Sequence, residues 1–339
     1  MAQQKDSDPK YQQTTANIQV RRSPLMDLFP PTTPYSSGFL ILDDLHTMYW
    51  EQSGNPDGVP ILLLHGGPGA GASPVHRRFF DPDHYRIIIY DQRGAGRSHP
   101  LGELENNSME FLTQDIETLR KHLKVKKWHL FGGSWGSTLA LNYASHYKKR
   151  CLSMILRGIF LCEQPEIDWF LYGMRTIFPE AWEQFANVIP EDEQDDLLNA
   201  YYKRLTDKTK PKVQMEAAVR WSLYEGACSS LMPNYETITT DEQKNHALAI
   251  ARIEAHYFKF GVIPKEKSLL RNIKTLRSIP TTIIQGRYDV ICPIKTANIL
   301  HQTWPEADYV VVPDAGHSAL DAPLRSRLIE AVEAAKTLS

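Results

Sequence analysis

The sequence predicts an α/β fold: a mostly parallel central sheet, interrupted by an inserted helical cap. Three observations carry this. Short apolar runs of β-forming residues alternate with stretches of helical periodicity, as in a sheet covered by helices on both faces. Several of these runs end in glycine-rich loops. The alternation stops near residue 160 and resumes near residue 281, with a helical, polar and aromatic stretch between. The reading divides the 339 residues into an N-terminal arm (1–35), a first part of the core (36–159), a helical cap (160–267) and a second part of the core (268–339).

The arm is polar and proline-rich and is expected to be loosely held. Residues 38–42 and 47–52 read as a hairpin around Asp43 and Asp44. A buried strand over 61–64 runs into His65-Gly66-Gly67-Pro68-Gly69, and another over 85–90 runs into Asp91-Gln92-Arg93-Gly94-Ala95-Gly96. A helix follows over 108–123, with Ser108 as N-cap and Phe111, Leu112, Ile116, Leu119 and Leu123 on its apolar face. A strand over 128–131 ends in Gly132-Gly133-Ser134, and Leu139, Leu141 and Ala144 mark a helix over 137–146. Residues 151–156, 281–285 and 309–312 supply further strands.

Composition narrows the function. Hydrophobic residues make up 42% of the chain and charged residues 23%, which is ordinary for a globular protein. The net charge of −2 lacks the footprint of a nucleic-acid binder and gives no attraction to an anionic membrane. No apolar run approaches the roughly 18 residues of a membrane span, and the first 20 residues hold no signal-peptide core. Cys151, Cys162, Cys228 and Cys292 form no CxxC pair, so reduced thiols and a cytoplasmic location are expected. The glycine-rich stretches 66–71 and 94–96 match neither GxGxxG nor a P-loop, which argues against nucleotide binding.

Gly132-Gly133-Ser134-Trp135-Gly136 is G-x-S-x-G between a strand and a helix. A serine on such a sharp turn projects its hydroxyl above the sheet, and residues two positions away must be very small. Ser134 is therefore the candidate nucleophile. His317, in the loop after the last strand, is the candidate base. Asp289 in Gly286-Arg287-Tyr288-Asp289 is the candidate acid, and Asp314 is its local rival, better read as a turn residue. His65 is expected to shape its own loop, and His256 lies on a helix. The order Ser134, Asp289, His317 is that of α/β-hydrolases. Trp135 and Gly67 are chosen to donate the backbone amides of an oxyanion hole. No HExxH occurs, and this chemistry calls for no metal or cofactor.

Together these segments resemble the proline iminopeptidase (prolyl aminopeptidase) family of α/β-hydrolases. Asp91-Gln92-Arg93-Gly94-Ala95-Gly96-Arg97-Ser98 belongs to the match, but the more specific part lies in two cap segments. These are Trp221-Ser222-Leu223-Tyr224-Glu225-Gly226 and Ala251-Arg252-Ile253-Glu254-Ala255-His256-Tyr257-Phe258. The resemblance covers about residues 35–335 and implies small peptide substrates with an N-terminal proline. It implies that Glu225 and Glu254 bind the charged imino group; on spacing alone they are two ordinary helix carboxylates. It maps the proline slot onto Phe160 and Phe170, where some members carry Tyr at the second position. It also places Cys292 near the acid, either lining the pocket and sensitive to thiol reagents or inert and buried. The rival readings are an esterase or amidase that ignores the N-terminus, and a non-catalytic binding protein.

Overall fold

The computed structural model describes residues 25–232 and 237–338. Eight strands among them form one sheet: β1 (Ser36–Ile41), β2 (Thr47–Gly54), β3 (Val59–Leu64), β4 (Tyr85–Tyr90), β5 (Trp128–Gly133), β6 (Cys151–Arg157), β7 (Thr281–Gly286) and β8 (Asp308–Val312). Their order is β1-β2-β4-β3-β5-β6-β7-β8. The hairpin β1–β2 is antiparallel and joins β4 antiparallel; every pairing from β4 to β8 is parallel. Each strand predicted from the sequence is present, most of them one or two residues longer.

The period-2 geometry of strands sorts the apolar runs onto two faces. Ile61, Leu63, Ile87, Ile89, Ile155 and Ile284 pack with Phe79, Phe80 and the helix α10 (Ala322–Ala335). Leu62, Leu64, Ile88, Leu130 and Leu156 face α1 (Met109–His122) and α2 (Trp135–Tyr147). Each fully buried Leu or Ile contributes about 1.5–3 kcal/mol by leaving water. Ser108 holds the N-cap position of α1 in an extended conformation, but its side chain makes no capping bond.

Between β6 and β7 the described chain is helical: α3 (Gln164–Asp168), α4 (Pro179–Ala186), α5 (Leu197–Thr206), α6 (Pro211–Ser229), α7 (Asp241–Phe260) and α8 (Ile273–Leu276). Helix α9 (Ile294–Thr303) lies between β7 and β8. α7 opens on a capping box in which Thr240 Oγ1 accepts from Gln243 N at 3.2 Å and Gln243 Oε1 accepts from Thr240 N at 3.1 Å. Its far end is tied to the core: Tyr257 Oη donates to Asn107 Oδ1 at 2.8 Å, and Arg252 Nε donates to the Gly102 carbonyl at 3.0 Å. These bonds fix α7, and with it Glu254, over the carboxyl ends of the strands.

One expectation needs correcting. Residues 1–24 lie outside the described residues, but the rest of the arm is not loosely held. Met26, Leu28 and Phe29 pack on the α10 side of the sheet. Phe29 N donates to the Arg78 carbonyl at 2.8 Å, and Arg78 Nε donates to the Phe29 carbonyl at 2.7 Å. Polar composition concealed three apolar anchors at its end.

Candidate active site

Ser134 follows β5 directly and has φ 57° and ψ −126°, a region that costs a non-glycine residue about 1–3 kcal/mol. The neighbours make the turn possible. A Cβ on Gly132 would stand 2.3 Å from the Gly136 carbonyl oxygen, and one on Gly136 would stand 2.1 Å from that of Leu64. Only glycine fits at either position, which is the physical content of the G-x-S-x-G spacing.

Asp289 lies just beyond β7 and His317 just beyond β8. The Nδ1 of His317 stands 2.9 Å and 3.0 Å from the two carboxylate oxygens of Asp289. Asp289 also accepts from Gln285 Nε2 at 3.0 Å and from the Cys292 amide at 2.8 Å, so its orientation is fixed from two sides. Asp314, the rival acid, is exposed. The sequence reading missed Arg157, the last residue of β6. Its Nη1 donates to His317 Nε2 at 3.1 Å and to the His317 carbonyl at 3.0 Å. Ser134 Oγ makes no hydrogen bond to His317 in this state; its contact is Cys292 Sγ at 3.9 Å. Burial pushes the Cys292 thiol well above the usual range, with the nearby Asp289 charge adding to the effect.

Gly67 lines the same pocket as Ser134, and the Trp135 amide is the first of α2, where backbone donors lack intrahelical partners. The segment after β4 supports this rim. Gln92 Nε2 donates to the His65 carbonyl at 2.9 Å, and Gln92 Oε1 accepts from the Trp135 indole at 3.0 Å. His65 Nε2 accepts from the Gln92 amide at 2.9 Å, and its Nδ1 stands 3.0 Å from the Gly66 carbonyl oxygen of its own loop. His256 bonds the Asn107 carbonyl at 3.0 Å, away from the triad candidates.

The remaining site candidates converge. Phe160, Phe170, Glu225, Glu254 and Cys292 line one narrow cavity with Gly67 and Ser134, and Glu166, Phe258 and Ile291 complete its wall. Phe170 and Phe258 meet edge to face at 5.3 Å between ring centres. Glu254 Oε2 accepts from the Trp221 indole at 2.6 Å. Burial pushes the Glu254 carboxyl well above its usual range, and the adjacent Glu225 charge pushes it further. Burial also raises the Glu225 carboxyl. Glu166 accepts from the amides of Leu161 and Glu163, yet burial still pushes it up to about 7. The cavity is narrow, about 10 Å³. A larger cleft of about 540 Å³, edged by Lys212, Arg220 and Lys244, carries none of these groups.

Comparison with known proteins places the chain in a family. A family model described as alpha/beta hydrolase fold matches residues 59–322. A proline iminopeptidase of Arabidopsis thaliana is 49% identical over 92% of this chain and 82% of its own length. The chain belongs to the proline iminopeptidase family of α/β-hydrolases. A probable proline iminopeptidase of Leptolyngbya boryana is 48% identical over 91% of this chain and 97% of its own. A solved proline iminopeptidase structure from Mycobacterium smegmatis superposes with a TM-score of 0.60 at 17% identity, over 89% of this chain and 99% of that one, which supports the fold alone.

Proposed function

We propose that this chain is a serine exopeptidase that releases N-terminal proline from peptides. The observation that carries the reading is the meeting of two carboxylates, buried Glu254 and half-buried Glu225, and three phenylalanine rings in one cavity with Ser134. A buried ammonium costs several kcal/mol unless it is paired. Glu225 and Glu254 supply that pairing at a fixed distance from Ser134, so only one residue fits before the scissile bond. Phe160, Phe170 and Phe258 offer the prolyl ring an apolar slot. Residues 160–267 act as the cap that carries most of this recognition.

In the proposed reaction, the imidazole of His317 turns from Arg157 to Ser134 and takes its proton as Oγ attacks the prolyl carbonyl. Asp289 holds the ring through Nδ1 and stabilises its charged form. The Gly67 and Trp135 amides receive the developing oxyanion, each contributing about 3–4 kcal/mol in the transition state. His317 then protonates the leaving amine, and water hydrolyses the prolyl ester. The four cysteines are buried and unpaired, which supports a reducing, cytoplasmic setting. A panel of aminoacyl-naphthylamides tests the reading: hydrolysis should favour proline and vanish in Ser134→Ala. Retained activity in that variant would refute the assignment of the nucleophile.

A further inference from the structure

Arg157 brings a cation to the rim of the site without a counter-ion of its own. Among the described residues no carboxylate forms an ion pair with it; the nearby Asp289 is paired with His317 instead. Its Nη1 is engaged by Nε2 and the carbonyl of His317. Its Nε and Nη2 meet no acceptor among the described residues. These two nitrogens form one edge of the guanidinium, the fork that a carboxylate engages with two parallel bonds. The group lies on the open face of Gly133, where a Cβ would stand 2.4 Å from Nη2 and 2.7 Å from Nε. Gly133 directly precedes Ser134, whose amide donates to the Arg157 carbonyl at 2.8 Å. Arg157 is half-buried, so part of the side chain still faces solvent. A cation held this way is costly unless an anion joins it.

Neither Arg157 nor His317 lines the proline cavity. The leaving amine must come within about 3 Å of His317 Nε2 to be protonated. In a dipeptide the carboxylate carbon lies two bonds from that nitrogen, about 2.5 Å away. Arg157 Nη1 is itself 3.1 Å from Nε2. The carboxylate of the leaving residue therefore arrives within reach of the guanidinium. We propose that Arg157 binds the free carboxylate of a prolyl dipeptide, so that the enzyme favours Pro-Xaa over longer or amidated substrates. This rests on the exopeptidase reading and names its substrate class. In a longer peptide a neutral amide carbonyl takes this place; it accepts a hydrogen bond but brings no charge. The carboxylate also competes with Nε2 for the guanidinium. Its arrival frees the lone pair that must take the proton of Ser134, while Nη1 can keep the His317 carbonyl.

The test compares kcat/KM for Pro-Gly, Pro-Gly amide and Pro-Gly-Gly near neutral pH. All three offer the same prolyl amine and the same scissile bond. The wild-type enzyme should prefer Pro-Gly over each of the others by about tenfold or more, the scale of a hydrogen bond to a charged group; this comparison needs no variant. In Arg157→Met the preference should fall to about one. Pro-β-naphthylamide, which has no carboxylate, should still be cleaved by that variant and reads the orientation of the base alone. Equal wild-type rates on Pro-Gly and its amide, with Pro-β-naphthylamide cleaved, would overturn this inference and leave the peptidase reading standing. Equal rates on Pro-Gly and Pro-Gly-Gly would overturn the dipeptide assignment. A merely structural role would slow all three peptides alike, so a preference retained in Arg157→Met would also overturn it. Failure to cleave any prolyl substrate would overturn both readings.

Discussion

Arg157 donates from Nη1 to Nε2 of His317 at 3.1 Å. A guanidinium has no acceptor, so Nε2 must be the unprotonated nitrogen and Nδ1 must carry the proton toward Asp289. That is the tautomer a general base needs. The same bond occupies the lone pair that must receive the proton of Ser134, so the contact orients the imidazole at rest and must break for catalysis.

Arg157 Nη1 also holds the His317 carbonyl at 3.0 Å, a bond that survives rotation of the ring, so Arg157→Met should lower kcat by about tenfold, the scale of one hydrogen bond to a charged group. KM for a prolyl substrate should stay within about twofold, because Arg157 is absent from the lining of the proline cavity. Steady-state kinetics on Pro-β-naphthylamide checks this. A rise in KM at constant kcat would show that Arg157 binds substrate instead of orienting the base.

Glu254→Gln should reduce kcat/KM for free-amine substrates by about 100-fold, within the range for truncating one partner of a buried charged pair. Turnover of a simple ester lacking an amine should change far less. Glu225→Gln should behave alike. The ratio of the two activities is the diagnostic quantity, and an unchanged ratio would refute the proposed recognition.

Gly136→Ala should destabilise the fold by about 2–4 kcal/mol, because its new methyl would collide with backbone and not with a movable side chain. The midpoint of urea unfolding measures this. The effect should appear equally in a Ser134→Ala background, since it arises from the turn and not from the chemistry.

Cys292 should react slowly with iodoacetamide near neutral pH, more slowly than a free cysteine. Its raised pKa leaves less thiolate at a given pH, and the rate should climb as pH rises. Mass-spectrometric labelling across pH 7–9.5 (about the usual thiol range) checks the sign. Fast labelling at pH 7 would contradict it.

The strands were legible because a strand buried on both faces must be apolar along its whole length, as the runs at Ile61 and Ile87 are. Ser134, Asp289 and His317 were legible because each stands in a loop at the carboxyl end of such a run. Glu225 and Glu254 were not legible by spacing. They meet only because α6 and α7 pack side by side, and helix pairing leaves no trace in a single helix's periodicity; the family resemblance supplied them. Phe258 lay inside a quoted cap segment without being singled out. Arg157 reads as a strand-end charge on a rim, and nothing local says that it will face His317. Glu166 reads as a helix-start carboxylate, a role it does fill by accepting the Glu163 amide, and its place in the cavity wall follows only from tertiary packing.

The central claim is that the site selects a free prolyl N-terminus. The most direct measurement compares hydrolysis of Pro-β-naphthylamide with that of its N-acetyl derivative, with Ser134→Ala as the blank. Cleavage of the free amine with little or none of the acetylated compound is the predicted result. Equal rates would contradict the account and leave an amidase that ignores the N-terminus.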